Sequence, residues 1–174
     1  VLTIGLISDT HGLVRPEVFD ALAGVDFILH AGDVGPPDVL IELATIAPVR
    51  AVFGNTDAPG RPDLVERIDE TFEGVRVVVT HGHELLGLNP PRLVSAYMHA
   101  DVIVYGHTHQ QLITRAARRT VINPGSAGEM RFKNLLPSVG KLYIDNRNVD
   151  ARIITLLNAA DLIAPEADDE TDVL

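Results

Sequence analysis

Residues 2 to 33 read LTIGLISDTHGLVRPEVFDALAGVDFILHAGD, and this stretch decides the fold class. Leu2 to Ser8 is an apolar, β-branched run that reads as a buried strand. A loop follows through Arg15, and Pro16, at the favoured first helical position, opens a short helix to Ala23. The pattern then repeats. Asp26 to Ala31 is strand-like, Gly32-Asp33-Val34-Gly35-Pro36-Pro37 is a loop, and Asp38 to Ala47 carries Val39, Leu40, Leu43 and Ala44 on one helical face. Val49 to Phe53 reads as a third strand. Strands alternating with helices at this spacing imply right-handed crossovers and a largely parallel sheet.

Past Gly54 the character changes. A Pro/Gly-rich loop runs to about Pro62, and Leu64 to Phe72 with Val75 to Thr80 read as a hairpin around Glu73-Gly74. A helix over Pro91 to His99 and a strand over Asp101 to Tyr105 resume the alternation briefly. From Gln111 the chain is mainly β, with one hairpin of Leu112 to Ala117 and Thr120 to Asn123, and another of Lys141 to Asp145 and Val149 to Leu156. These late hairpins need an apolar partner layer. The expected architecture is therefore α/β (α+β), a four-layer α-β-β-α sandwich of two mixed β-sheets flanked by helices.

A chain of 174 residues, 46% of them hydrophobic, can bury a core as one domain, expected over residues 1 to 158. Residues 159 to 174 read as an acidic, disordered tail: six carboxylates with no basic residue lie in 161 to 174. They account for much of the net charge of -10, leaving 18 acids against 14 bases in the body. No apolar stretch approaches the roughly 18 to 20 residues a bilayer crossing needs, and Val1-Leu2-Thr3-Ile4 lacks a basic flank, so a cytoplasmic protein without membrane association is expected. Arg115, Arg118 and Arg119 fall in the first late hairpin and read as a solvated turn; there is no strong nucleic-acid signal. The chain has no cysteine, which excludes thiolate metal sites.

The chemistry lies in five short segments that each follow a strand: Asp9-Thr10-His11, Gly32-Asp33, Gly54-Asn55, His81-Gly82-His83 and Gly106-His107-Thr108-His109. Ligands of α/β sheets collect outside the carboxyl ends of strands, where such loops converge. Asp, His and Asn supply the oxygen and imidazole donors that first-row divalent ions accept, and seven of them suit two ions sharing one bridge in a hydrolytic site. Asp9 and His11 are two apart, as are His107 and His109, so in extended backbone each pair points to one side. The intervening glycines are consistent with sharp turns or close backbone approach.

The order of these segments resembles the calcineurin-like metallophosphoesterase superfamily, and more narrowly its small prokaryotic phosphodiesterase branch, over about residues 4 to 145. Asn123-Pro124-Gly125-Ser126 is also similar to that branch. The resemblance implies a β-sandwich with flanking helices and a metal-dependent phosphoesterase, most simply a phosphodiesterase, that hydrolyses P–O bonds by attack of a dimetal-bridging hydroxide. It implies that Asp9, His11 and His109 bind one ion, that Asn55, His81 and His107 bind the other, and that Asp33 bridges them. Manganese (Mn2+) is the first choice, with zinc, iron, nickel or cobalt also compatible with nitrogen and oxygen donors. A small phosphoester substrate and a homodimer or homotetramer are the expected partners.

One segment departs from the wider superfamily, where a histidine proposed to protonate the leaving group often follows the Asn. Here Thr56 follows Asn55, and a hydroxyl is too weak an acid for that task. The catalytic acid is thus unassigned; His83 is a candidate replacement, although it reads better as a core histidine or one supporting a ligand. Asn55 and Arg131 are candidates for contacting a substrate phosphate, although Arg131 reads better as a surface arginine. His30 reads as a satisfied core histidine, His99 as a helix cap, and Asp57 as a turn residue or a carboxylate behind the ligands. Alternative functions are a catalytically silent metal-binding scaffold of the same fold, similar to the retromer sorting-complex subunit, or a phosphomonoesterase or cyclic-nucleotide phosphodiesterase.

Overall fold

The computed structural model describes residues 1–129 and 135–157. The tail expected over 159 to 174, and Arg131, lie outside the described residues. Two five-stranded sheets face one another. The first has the order β10-β9-β1-β2-β3, built from β1 (Leu2–Ile7), β2 (Phe27–His30), β3 (Val49–Ala51), β9 (Ser138–Asp145) and β10 (Asn148–Thr155). The second has the order β4-β5-β6-β8-β7, from β4 (Ile68–Phe72), β5 (Val75–Thr80), β6 (Val102–Tyr105), β7 (Leu112–Ala116) and β8 (Arg119–Asn123). Strands β1, β2 and β3 run parallel, as do β5, β6 and β8, while β9, β4 and β7 pair antiparallel at the flanks.

Side-chain alternation explains why the middles of the central strands are apolar on both faces. Ile4 and Leu6 face Val77, Val79, Val102 and Val104 across the inter-sheet core. Ile7 and Ile28 face the other way, onto α1 (Pro16–Ala21) and α2 (Asp38–Leu43), and Val78 and Ile103 face α3 (Pro90–Ala96). Each central strand is thus covered on both faces, as parallel strands require, and the four layers run α-β-β-α.

The helices are shorter than the apolar pattern suggests. The helix expected to Ala47 ends at Leu43, where the Thr45 hydroxyl donates to the Glu42 carbonyl and Pro48 lies ahead, disfavouring helical backbone before it. The strand expected from Leu64 begins only at Ile68, because Val52 and Val65 form a lone parallel bridge instead of extending a sheet. Val52 and Phe53, expected in the third strand, lie beyond its last residue, Ala51. The hairpin turns at Glu73-Gly74, Ala117-Arg118 and Asn146-Arg147 each place both central residues at positive φ. Such turns match the right-handed twist of the flanking strands.

Candidate metal centre

The parallel strands of both sheets end at one pole, and their carboxyl ends deliver the donor-bearing loops. The two-residue spacings work differently from the extended-backbone expectation. Asp9 and His11 have φ of 54° and 48°, Asp33 54°, and His107 and His109 67° and 58°. Left-handed backbone at a non-glycine residue costs on the order of 1 kcal/mol and persists where surrounding contacts over-determine it. Those contacts are present: the N–H groups of Asp9 and His11 donate to the Gly32 and Asp33 carbonyls at 3.0 and 2.9 Å, and the Ser126 hydroxyl donates to the Asp9 carbonyl at 2.9 Å. The chain folds back at each donor, so that neighbouring loops present their donors to a common space.

Asp9 is fully buried. Its Oδ2 accepts from the Ser8 hydroxyl at 2.6 Å and the His107 N–H at 3.2 Å, whereas Oδ1 has no hydrogen-bond partner. That orphaned oxygen lies 3.2 Å from His109 Nε2 and 4.0 Å from His11 Nε2, and the two imidazole nitrogens are 3.5 Å apart. Asp33 Oδ1 accepts the Thr56 N–H at 2.9 Å, while Oδ2 stands 3.8 Å from His11 Nε2 and 3.4 Å from His81 Nε2. His81 Nδ1 donates to the Ala31 carbonyl at 2.8 Å, which turns Nε2 toward Asp33 and toward Asn55 Oδ1, 3.1 Å away. Two overlapping groups result, Asp9 with His11 and His109, and Asp9 with Asp33 and His81.

These residues fit a divalent cation. A buried carboxylate oxygen without a proton donor is costly unless a positive charge faces it. Donor separations of 3.1 to 4.0 Å are those that two bonds of about 2.1 Å to one ion subtend at about 95 to 145°. Electrostatics point the same way. Burial alone would raise the Asp33 pKa, but its hydrogen bond with His81, that imidazole's charge and the Thr56 N–H outweigh burial and hold the carboxyl well below the usual carboxylate range. Burial would lower the His81 pKa, yet the bond to Asp33 and the fields of Asp9 and Asp33 make the net shift upward. The pocket favours a cation at this nitrogen.

His107 is more peripheral. It is exposed, with its ring edge-on to that of His81 at 5.2 Å between centroids, and it is absent from the two close-set donor groups. Partial desolvation of its ring against the neighbouring loops and the nearby His81 charge both lower its pKa, keeping the imidazole neutral and available as a donor. His83 lies beside these rings, 5.3 Å from His81 and 5.9 Å from Phe53. His99 is no helix cap: its Nε2 pairs with Asp69 Oδ2 at 2.9 Å on the surface.

The sequence assigns Asn123 no positioning role, whereas Asp57 reads as a turn residue or a carboxylate behind the ligands. Asn123 donates through Nδ2 to the Gly106 carbonyl and the Thr108 hydroxyl, both at 3.0 Å, bracing the His107 loop. Asp57 accepts backbone N–H groups from Val34, Gly35 and Gly54 at 3.1, 2.9 and 2.8 Å, tying the Asp33 loop to the Asn55 loop. Its place three residues after the turn glycine Gly54 was the available signal. Gly106 is required sterically, since a Cβ there would sit 2.1 Å from Ser8 Oγ and 2.9 Å from Asp9 Oδ2.

His30, expected as a core histidine, does join two of these loops. Its Nδ1 accepts the Gly32 N–H at 3.2 Å, and its Nε2 lies 2.9 Å from Thr10 Oγ1, whose proton goes to the Val34 carbonyl at 2.8 Å. That chain requires a neutral ring with its proton on Nε2. Burial accordingly lowers the His30 pKa to about 4, only partly opposed by Asp9 and Asp57. Because the folded protein binds this proton less readily than the unfolded chain, the stabilisation is complete above pH 6.5 and is lost as the pH falls toward 4. A loss of about 3 kcal/mol is expected across that window. Urea titrations of the wild type and His30→Gln at pH 7 and 4.5 check it: equal pH dependence in both would refute this assignment.

A pocket of about 480 Å3 opens beside the donors, lined by Asn55, His83, Phe53 and the loop to Leu64. Among the described residues, no helix is long and apolar enough to cross a membrane.

A family profile described as the calcineurin-like phosphoesterase superfamily domain matches residues 2–147. A probable metallophosphoesterase of Methanothermobacter thermautotrophicus is 42% identical over 161 residues, spanning 88% of this chain and 92% of the relative. A phosphodiesterase of Methanocaldococcus jannaschii is 26% identical over 173 residues, covering 89% of this chain and 99% of its own. Among solved structures, a single mutant of Vps29 from Entamoeba histolytica superposes with a TM-score of 0.75 at 20% identity, covering 90% of this chain and 100% of that one, a likeness of fold.

Proposed function

Since this chain belongs to the calcineurin-like phosphoesterase superfamily, we propose that it is a metal-dependent phosphodiesterase holding two divalent ions, manganese first among them. The observation that carries this reading is the orphaned, fully buried Asp9 Oδ1 facing the imidazoles of His11 and His109, with Asp33 Oδ2 between His11 and His81. Asp9, His11 and His109 would hold one ion, and Asn55, His81 and His107 the other, with Asp33 shared. When bound, the ions supply an acidified water as nucleophile and neutralise charge on the phosphoryl oxygens.

The chain's own residues do the positioning. Ser8 and the His107 N–H fix the Asp9 carboxylate, Ala31 fixes the His81 ring, and Thr56 fixes Asp33, so few donors need to reorganise when substrate arrives. Asn55, exposed at the pocket edge, is placed to meet a phosphoryl oxygen as well as a metal. The fourth position of Gly54-Asn55-Thr56-Asp57 is structural, through its three backbone hydrogen bonds, and Thr56 contributes its N–H instead of an acid. A leaving group that departs without a strong protein acid favours activated diesters over unactivated ones.

The test is hydrolysis of bis(p-nitrophenyl) phosphate, p-nitrophenyl phosphate and 2′,3′-cyclic AMP by chelator-stripped protein resupplied with manganese, zinc, iron, nickel or cobalt. Metal-dependent turnover with the diester preferred is the expected result. Tight metal binding with no turnover of any ester would favour a scaffold, and preference for the monoester or the cyclic nucleotide would replace the diesterase reading with that activity. A cytoplasmic location and a homodimeric or homotetrameric assembly belong to the same proposal.

A further inference from the structure

The pocket beside Asn55 has walls that do not match a phosphate. Phe53, Ala58, Pro59 and Leu64 line it, and its polar members are Asn55 and His83 beside the donors, Asp57, whose carboxylate accepts three backbone N–H groups, and Arg61. Arg61 cannot offer an unpaired charge: its Nε and Nη2 meet both Asp63 oxygens at 3.1 and 2.5 Å, and its Nη1 donates to the Gly35 carbonyl. The guanidinium pKa is raised, first by the hydrogen bond to Asp63. A second anionic group would therefore meet an already answered cation.

Phe53 is the telling residue. It stands 37% exposed just past the end of β3, and its ring is tilted by 56° against His83 with centroids 5.9 Å apart. His83 in turn is tilted against His81. The two rings form a corner between the donors and the apolar wall, with room of about 480 Å3 in front of it. That volume lies within the roughly 300 to 1,000 Å3 of ordinary ligand pockets. Aromatic faces and edges arranged in this way favour a flat ring over a flexible chain.

We propose that this pocket receives an aromatic ring carried on the ester group of the substrate, so that the site takes ring-bearing phosphate esters, aryl or nucleoside, in preference to small alkyl ones. This rests on the phosphodiesterase reading above and adds its specificity. Asn55 and His83 both line the pocket and stand beside His81, so the pocket adjoins the donor-bearing loops.

The experiment measures binding, independently of turnover, by isothermal titration calorimetry of the manganese-loaded full chain with phenyl phosphate, uridine 5′-monophosphate and methyl phosphate. At least one ring-bearing ester is expected to bind about tenfold more tightly than methyl phosphate. The tighter of the two then identifies an aryl or a nucleoside source. In Phe53→Ala the preference is expected to fall to about threefold or less, with methyl phosphate unchanged within about twofold; Phe53→Leu, which keeps the apolar wall, should also lose most of it. No ring preference in the wild type, or an unaltered preference in Phe53→Ala, overturns the proposal. Hydrolysis of bis(p-nitrophenyl) phosphate without ring preference counts against the pocket alone. Ring preference without hydrolysis counts against the diesterase reading.

Discussion

Asp33→Ala is expected to lower metal-dependent diester hydrolysis by about a thousandfold. Asp33 Oδ2 is the carboxylate oxygen that stands between His11 and His81, 3.8 and 3.4 Å from their Nε2 atoms. Asp9 also faces both donor groups, but its Oδ2 is held by Ser8 and the His107 N–H, which leaves one oxygen, Oδ1, where the pair of aspartates offers two. If Asp33 is the shared ligand proposed above, its removal forfeits the several kcal/mol that a metal centre contributes to phosphoryl transfer, and each ~1.36 kcal/mol is tenfold in rate. The same variant should retain less than the wild type's full complement of ions after gel filtration. Two measurements check this, kcat/KM on bis(p-nitrophenyl) phosphate and elemental analysis of the purified protein. Wild-type turnover in the variant with metal supplied would sink the two-ion scheme.

Gly54→Ala is expected to cost about a hundredfold in rate through geometry alone. A Cβ at Gly54 would lie 2.0 Å from Asp33 Oδ1 and 2.4 Å from the Asp33 nitrogen, distances at which one of the two loops must move. The displaced oxygen is the one held by Thr56, so its partner oxygen loses its alignment with His11 and His81. A misplacement near 1 Å at a catalytic group costs about a hundredfold, and overpacking adds about 1 to 3 kcal/mol of destabilisation. Gly24→Ala is the control: its φ is +75°, yet nothing lies within 4 Å of the added carbon, so it should lower stability slightly and leave the rate alone. Thermal melts and rates on both variants separate the two effects. A Gly54→Ala enzyme as fast as the wild type would show that the Asp33 loop is not held in place.

The layered fold was legible because burial on both faces leaves a mark that survives without coordinates. Ile4 to Ile7 and Val77 to Val79 alternate between two different apolar environments, so polar side chains such as Thr3 and Arg76 are kept to the strand starts and each strand reads as a largely apolar run. The hairpins were legible for a similar local reason, in their turn residues. Helix ends were less so. At α2 the apolar periodicity continues past Leu43, and what stops the helix is a side-chain bond from Thr45 and a proline beyond it, both weaker signals than the stripe.

The donor set divides in the same way. Asp9, His11, Asp33, Asn55, His81 and His109 are recognisable by residue type and by their place after strands, and the fold brings their donor atoms within a few ångströms. The backbone that aims them is not recognisable, because five aspartate and histidine residues adopt a left-handed conformation that their own chemistry disfavours. Only hydrogen bonds from loops distant in sequence, such as Ser126 to Asp9 and Thr56 to Asp33, hold them there.

By itself, then, the sequence determined the sandwich and the kind of atoms available at one pole, since periodicity and residue chemistry are local properties. Tertiary structure alone decided which oxygen of Asp9 is left without a proton donor, why Gly54 and Gly106 admit no side chain, and how Phe53, Leu64 and His83 enclose one space. Those features depend on distances between segments as far apart in the chain as Asp9 and His107, and no local pattern encodes such distances.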